Sequence, residues 1–439
     1  MKLNTKRTVL IGFAFLSICA FWQMYDNLVP LILTNTFHID KTISGAIMAA
    51  DNVLALFLLP LFGGLSDRCG SRLGRCRPFI LFGTLAAVAL MLGLPLIADS
   101  YHAQAAPFKL YLFIALLGCL LVAMGTYRSP AVALMPDVTP KPLRSKANAI
   151  INLMGAVGGI VYLIITTFLY KTKSETYISY FPLFAIVGGI MLAALLVVML
   201  LVDEPRLAAQ QRAYEEKHPE DNLAQQTISG EELPSEVKRS LAFLLASIAL
   251  WFISYNGVTT WFSVYAQNTW GMSLGQANTC MTIATAGAIV SYIPIGMVAS
   301  RVGRRRTIRT GVMMLTSCFT AAFVYTMLSD TFSPLLYALF ILLGVGWASI
   351  NVNSLPMVVE MCRSADVGKF TGLYYTFSMS AQIVTPIVAG WLLDHISSKA
   401  LFPYAAIFSL AAFLTMGMVG HGDNKVDAKR GLEAFDVDD

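Results

Sequence analysis

The stretch GGLSDRCGSRLGRCRPFI (63–80) contains four arginines and one aspartate and separates two long apolar segments. A related stretch, GMVASRVGRRRTI (296–308), occupies the corresponding place in the second half of the chain. Each begins with glycine at the end of an apolar segment and continues into a turn rich in glycine and arginine. Asp137 and Glu360 also stand at matching places, each after the apolar segment two further on. These repeats predict an internal parallel duplication, as in membrane proteins built from two similar halves.

The composition is that of a membrane protein. Hydrophobic residues make up 56% of the 439 residues and charged residues 13%, whereas soluble domains carry roughly 25% charged residues. A membrane-spanning helix needs about 20 mostly apolar residues. We therefore predict an all-α membrane protein with twelve transmembrane helices in two pseudo-symmetric six-helix halves. The predicted spans are 7–32, 44–65, 78–98, 109–132, 146–170, 181–202, 239–265, 275–297, 308–328, 333–357, 370–393 and 399–420.

The distribution of positive charge predicts the orientation. With the N-terminus inside, 25 of the 31 lysines and arginines fall in inner segments and five in outer loops, in agreement with the positive-inside rule. We expect a multi-pass protein of the cell (inner) membrane with both termini cytoplasmic. The net charge of +5 follows from this topology, so we expect no nucleic-acid partner. The predicted domains are an N-terminal six-helix half (1–202), a cytoplasmic linker (203–238), a C-terminal six-helix half (239–420) and a cytoplasmic tail (421–439).

Two aspartates, Asp26 and Asp51, lie inside apolar segments long enough to span a bilayer. A carboxylate at this depth is costly unless it faces a partner or a water-filled cavity. By helix rise, the two lie about 9 and 10 Å from the outer membrane face, so they could share one cavity. Two close carboxylates in a poorly solvated site suit the binding and release of a proton. We predict that Asp51 and Asp26 couple proton movement to transport; for Asp26 the alternative is an interfacial pair with Lys41.

Three further polar residues accompany these aspartates in the first half. Asn27 and Asn52 directly follow them and are predicted either to bind substrate hydroxyls or to hydrogen-bond between helices. Arg128 is the one basic residue assigned to the interior of a span. Counting helix rise from the outer end places it about 28 Å deep, too deep to meet the outer carboxylates. We predict that it pairs with Asp137 or Glu360, or anchors the substrate from below, unless its side chain extends to the membrane surface.

The second half carries aromatic and amide side chains in place of charges in mid-membrane. Trp251 and Tyr255 are four residues apart and share a helix face, as do Trp347 and Asn351. Aromatic faces and amide donors suit the apolar faces and hydroxyl edges of sugars, although helix packing and an interfacial aromatic belt predict the same residue types. The predicted substrate-binding residues of this half are Trp251, Tyr255, Asn256, Asn351, Tyr375 and Gln382.

The pattern of Gly63, Asp67, Arg68 and the Gly74-Arg75-x-Arg77 turn resembles the loop signature of the major facilitator superfamily. The longer string SDRCGSRLGRCRPFI (66–80) is similar to the branch of sucrose transporters and glycoside–pentoside–hexuronide symporters. The resemblance implies the major facilitator fold, in which two halves rock to open the site alternately to each side.

The resemblance also implies a gate at the inner face. The predicted gating residues are Asp67, Arg68, Arg75 and Arg77, to which we add Asp137 and Glu360 from the repeated positions. Two departures from the family pattern bear on the substrate and on the coupling residue. Ser300 stands where the second copy of the signature has aspartate, and span four carries YRSPAVALMPD (127–137), which differs from the sucrose branch.

Together these features predict a secondary active transporter that moves a sugar or glycoside with protons by alternating access. The sequence has no P-loop, so ATP is not the expected energy source. The five histidines lie in loops, near helix ends or in the tail, and we expect no metal or cofactor beyond the coupling ion, a proton or alternatively sodium. The expected partners are a small solute and the lipid bilayer, and we expect a monomer.

Two other functions are compatible with the same fold. The first is a proton-coupled antiporter that exports drugs or other small molecules. The second is a membrane solute sensor that does not transport. An enzyme is not expected, because no His/Glu or Ser/His set falls at one depth in the predicted spans.

Overall fold

Helices make up all the regular secondary structure of the residues that the computed structural model describes, namely 4–140, 143–171, 177–217, 234–361 and 367–423. Within these ranges the chain forms thirteen α-helices and one π-helical segment. The helices are α1 (Thr5–Leu31), which continues into the π-helical segment (Ile32–Thr36), α2 (Lys41–Asp67), α3 (Arg77–Ala103), α4 (Pro107–Asp137), α5 (Arg144–Leu169), α6 (Phe181–Leu201), α7 (Glu204–Lys217), α8 (Ser235–Thr269), α9 (Leu274–Val302), α10 (Arg304–Leu328), α11 (Leu335–Glu360), α12 (Val367–His395) and α13 (Leu401–Gly417).

Eleven of the described helices are long and apolar enough to cross a membrane, and α13 is a shorter apolar helix of 17 residues. The prediction of an all-α membrane protein with twelve apolar segments is confirmed. Both α4 and α8 run beyond their predicted spans, because backbone hydrogen bonding in a helix does not depend on the length of the apolar run. The segment predicted as a linker contains the polar helix α7 and the start of α8. Residues 218–233 of this segment and residues 424–439 of the predicted tail lie outside the described residues.

Internal contacts divide the chain into two units. The first unit comprises residues 1–39 and 50–222, and the second comprises residues 40–49 and 223–439. Four helix pairings recur in both units. In the first unit α1 packs on α5 and α6, and α3 packs on α4 and α6; in the second α8 packs on α12 and α13, and α10 packs on α11 and α13. A duplicated six-helix unit predicts this repetition.

Two glycines allow helix backbones to approach closely within the units. A Cβ atom on Gly158 of α5 would lie 2.1 Å from the carbonyl oxygen of Leu16 in α1. A Cβ atom on Gly344 of α11 would lie 2.0 Å from the carbonyl oxygen of Ala284 in α9. No side chain tolerates such distances, so both contacts require glycine. Small residues let transmembrane helices associate through close van der Waals packing.

We predict that Gly158→Ala lowers the melting temperature of the purified protein, because the added methyl group overlaps the Leu16 carbonyl and forces α1 and α5 apart. Overpacking of this kind costs about 1–3 kcal/mol. The matched control is Gly189→Ala in α6, where neither a side chain nor neighbouring backbone lies within 4 Å of the added Cβ. The control should keep or slightly raise the melting temperature, since alanine favours a helix. Equal melting temperatures for the two variants would contradict the contact.

Candidate functional site

Asp26 is the one exposed residue between Arg7 of α1 and Thr34 of the π-helical segment, and every other residue of this stretch is buried or half-buried. Its neighbours Tyr25 and Asn27 are only 1% and 4% exposed. Charge in hydrocarbon is costly, so an exposed carboxylate within an apolar helix faces water rather than lipid. Asp26 therefore marks a water-accessible face of α1.

Asp51 is half-buried in α2 and is held by the residue that follows it. The backbone nitrogen and the Nδ2 of Asn52 donate to Asp51 Oδ1 at 2.6 and 2.7 Å. These bonds fix the orientation of the carboxylate and leave its second oxygen for another partner. The Asn52 amide is thus engaged with Asp51, and its role in substrate binding stays a prediction.

A small cleft brings Asp51 together with Arg128. Asp51 of α2, Arg128 of α4 and Trp22 of α1 line it, with aliphatic side chains of α2 and α4 around them. The guanidinium carbon of Arg128 lies 5.5 Å from the centre of the Trp22 ring, within the range of a cation–π interaction. The charges of Asp51 and Arg128 both interact electrostatically with the Asp26 carboxylate. Three helices of the first unit thus gather two carboxylates and one guanidinium.

The prediction that Arg128 lies too deep to meet the outer carboxylates was wrong. Helix rise placed it out of reach of the outer carboxylates, whereas it lines the same cleft as Asp51. The count measured each helix from the start of its own apolar run and ignored their stagger and the length of the arginine side chain. The stagger is visible beside Arg128, where Ser129 Oγ donates to the Leu59 carbonyl of α2 at 2.9 Å.

Asn27 and Lys41 have partners outside this cleft. The Tyr162 hydroxyl donates to Asn27 Oδ1 at 2.9 Å in a buried contact that ties α1 to α5. The substrate-binding role of Asn27 stays a prediction beside this interhelical bond. In the second unit, Lys41 pairs with Asp394 at 3.4 Å. The interfacial pair considered for Asp26 is therefore not the pair that Lys41 forms.

The second unit contains an aromatic stack between α8 and α11. Tyr255 of α8 lies against Trp347 of α11, with ring centres 3.7 Å apart and planes 5° apart. Next to Tyr255 in sequence, Asn256 has a buried Nδ2 without a hydrogen-bond partner among the described residues. Trp251, by contrast, is fully buried and belongs to the helix packing. The other predicted binding residues of this half, Asn351, Tyr375 and Gln382, are half-buried, and their roles stay predictions.

Arg75 joins two carboxylates at the end of the first unit that is predicted to be cytoplasmic. Its Nη1 lies 3.2 Å from Asp67 Oδ1, at the end of α2. Its Nε donates to Asp137 Oδ2 at 2.7 Å, and its Nη2 bonds the other oxygen of Asp137, at the end of α4. Of the other predicted gating arginines, Arg77 donates to a carbonyl of α6. Arg68 is exposed and forms no ion pair with any residue in the described ranges.

Glu204 is the residue of this cluster that the sequence did not reveal. Its side chain is 2% exposed, and its carboxylate accepts from the backbone nitrogens of Arg75, Cys76 and Arg77 at 2.8 to 2.9 Å. It therefore caps the N-terminus of α3, where a negative charge is stabilised by unpaired N–H groups and the helix dipole. Gly74 has φ +109°, and a Cβ there would lie 2.4 Å from this carboxylate. The glycine is required by both its backbone conformation and this contact.

The second unit repeats this arrangement with different acids. Gly303 has φ +100°, and a Cβ there would lie 2.8 Å from both carboxylate oxygens of Asp423. Arg304, which follows this glycine as Arg75 follows Gly74, pairs with Glu360 at the end of α11. Asp137 and Glu360 thus pair with arginines of the two turns. The partnership predicted between either acid and Arg128 was wrong.

Cys76, Asp137 and Glu204 place a sulfur and two carboxylates within 4.8 Å of one another. The carboxylates are already bound by Arg75 and by the N-terminus of α3, and Cys76 Sγ donates to Asp137 Oδ2 at 3.5 Å. Burial raises the pKa of the Cys76 thiol far above its usual range, and the Glu204 and Asp137 charges add to the shift. A protonated thiol and two engaged carboxylates fit a hydrogen-bonded helix cap rather than a metal site.

We predict that Glu204→Gln lowers the melting temperature of the purified protein, because the N-terminus of α3 loses its charged acceptor. A hydrogen bond to a charged group contributes about 1.5–3 kcal/mol. The control is Asp203→Asn, which removes the same charge from the exposed neighbouring residue and should cause a much smaller shift. Equal melting temperatures for Glu204→Gln and the control would show that the cap does not stabilise the fold.

Sequence comparison finds a matching family profile and related proteins. A profile of the Major Facilitator Superfamily matches residues 11–275 and 266–435. Sucrose transport protein SUC3 of Arabidopsis thaliana is 31% identical over 153 residues, which cover 32% of this chain and 25% of that protein. Uncharacterized protein YqgE of Bacillus subtilis is 28% identical over 185 residues, which cover 41% of this chain and 40% of that protein. The chain thus aligns with less than half the length of each of these relatives.

Solved structures share the fold over nearly the whole chain. The nucleoside transporter NupG has a TM-score of 0.67 at 15% identity and covers 95% of this chain and 100% of its own. A D-xylose-proton symporter has a TM-score of 0.66 at 15% identity and covers 95% of this chain and 98% of its own. The repeated six-helix units and the profile match along the chain agree with this likeness. The chain belongs to the Major Facilitator Superfamily and is a multi-pass membrane transporter rather than an enzyme.

Proposed function

We propose that the protein is a secondary active transporter that brings a sugar or glycoside into the cell together with protons, by alternating access. The observation that carries this proposal is the cleft of the first unit, where Asp51 and Arg128 meet and act electrostatically with the exposed Asp26. Ionisable side chains within transmembrane helices are costly and mark ion or proton pathways.

The charges of this set explain how one proton could be coupled to the solute. With both aspartates ionised, Asp26, Asp51 and Arg128 carry one net negative charge. Binding of one proton neutralises the set, and its release restores the charge. A solute that binds more tightly to the neutral set also raises the affinity for the proton, because such coupling is reciprocal. Sodium could neutralise the same set, which makes it the alternative coupling ion.

The sugar class rests on two kinds of support. The string 66–80 resembles the branch of sucrose transporters and related symporters, and the aligned Arabidopsis relative is named a sucrose transport protein. In the second unit, the Tyr255–Trp347 stack offers a flat aromatic surface, and Asn256 offers an amide donor. Sugars present apolar faces and hydroxyl edges that such groups bind.

We predict that Asp51→Asn abolishes proton-driven sugar accumulation but retains sugar exchange, because the amide keeps the shape of the cleft and cannot bind or release the proton. The measurement is uptake of labelled disaccharides and glycosides into proteoliposomes under an imposed inward proton gradient. Accumulation above the outside concentration should be lost, because without a titratable carboxylate the proton gradient cannot drive the sugar. Exchange across membranes without a gradient should continue.

The matched control is Asp330→Asn, which removes a carboxylate whose side chain is 75% exposed and which lies outside the cleft. It should accumulate sugar like the wild type. Accumulation that survives in Asp51→Asn but fails in Asp26→Asn would move the proton site to Asp26. Efflux of a fluorescent cation with no uptake of any sugar would overturn the sugar proposal and support a drug exporter.

A further inference from the structure

A groove with a volume of about 600 Å³ runs along α10 in the second unit, apart from the cleft described above. Most of its lining comes from α10, while α9, α11 and α13 contribute Val302, Leu342 and Phe413. Arg306 and Arg309 stand at one end of it. We name it the arginine groove.

The length of the arginine groove along α10 is close to the thickness of one membrane leaflet. Arg306, Thr310, Met313 and Ser317 are spaced by three or four residues, so they follow one face of α10. From Arg306 to Ser317 the helix rises about 16 Å, close to half the thickness of a hydrocarbon core of about 30 Å. A chain that enters at the arginines therefore crosses one leaflet along this face.

The wall of the groove is apolar and exposed. Val302, Met313 and Leu342 are 47%, 40% and 46% exposed, respectively. Among the residues that the structure describes, no aspartate or glutamate lines the groove. The groove thus combines two positive charges at one end with an uncharged, apolar length that suits a hydrocarbon chain.

The arginines of the groove differ from the two arginines before them. Arg304 pairs with Glu360, and Arg305 donates to the Gly417 carbonyl at 2.6 Å. In contrast, neither Arg306 nor Arg309 forms an ion pair with a residue in the described part of the chain. These two positive charges lie beside an apolar surface and are not paired with a carboxylate of the described residues. They can therefore bind an anion from outside the protein.

Arg309 is held in place although one of its donors is unused. Its guanidinium carbon lies 4.7 Å from the centre of the Phe413 ring, where a cation–π interaction orients it. Its Nε is buried and has no hydrogen-bond partner among the described residues. The terminal nitrogens of Arg309 form no hydrogen bond with the described residues, so they are the donors left for an anion at this end of the groove.

We propose that the arginine groove binds one anionic phospholipid, with its phosphate between Arg306 and Arg309 and one acyl chain along Met313 and Leu342. Guanidinium groups form charge-assisted, forked hydrogen bonds with phosphate oxygens. The arginines lie at the end of α10 that the charge distribution predicts to be cytoplasmic. Basic pockets between transmembrane helices on that side suit anionic head groups.

The test is native mass spectrometry of the full chain in detergent, titrated with phosphatidylglycerol and with phosphatidylcholine of the same acyl chains. The wild type should bind phosphatidylglycerol about tenfold more tightly, because the negative charge of its phosphate is uncompensated, whereas the choline cation of phosphatidylcholine offsets that charge beside the arginines. The double variant Arg306→Gln/Arg309→Gln should lose this preference. The matched control is Arg301→Gln, which removes an exposed arginine of α9 that does not line the groove and should bind like the wild type.

Two soluble competitors distinguish a lipid from a free anion. Neither glycerophosphoglycerol nor inorganic phosphate should displace phosphatidylglycerol, because neither fills the apolar length of the groove. Displacement by either one, or a double variant with the wild-type preference, would overturn the proposal. If the double variant does not fold, Arg306→Gln alone, which changes an exposed side chain, should still reduce the preference, and an unchanged preference would overturn the proposal equally.

Discussion

The cost of removing a charge from water governs where this chain places its ionisable side chains. Asp26 is the exposed residue within the apolar part of α1, and Asp51 lies beside Arg128 and the amide of Asn52. Near the helix ends, carboxylates are bound by arginines and by backbone N–H groups. Each charged group at membrane depth in the first unit thus has water or a partner. Within the spans of the first unit, a single proton neutralises the net charge of the set formed by Asp26, Asp51 and Arg128.

The same constraint shapes the two glycine- and arginine-rich turns. In each turn a glycine with positive φ, Gly74 or Gly303, makes room for a carboxylate at the start of the following helix. The arginine after it binds an acid at the end of the fourth helix of its unit. The copies differ in one respect: Arg75 also reaches Asp67, whereas Ser300 replaces that acid in the second unit. The first turn therefore links one more helix end than the second.

The fold could be predicted from the sequence because hydrophobic runs and positive charges report directly on membrane spans. The pairing of Arg75 with Asp67 could also be predicted, because the resemblance places both residues in one short signature. Contacts between segments that are distant in the sequence could not be predicted in this way. Glu204 stands in a polar stretch that looks like a solvated linker, yet it caps α3. Arg128 meets Asp51 because of helix stagger and side-chain reach, which no count along one helix includes.

The most direct test of the central claim is the movement of protons when sugar is added. Proteoliposomes that contain the protein are suspended in weak buffer with a pH-sensitive dye outside, and a transported sugar is added without an imposed gradient. The account predicts that the outside becomes alkaline with the wild type and does not with Asp51→Asn. Sugar entry through the wild type with no change in external pH would contradict proton coupling through the Asp26, Asp51 and Arg128 set.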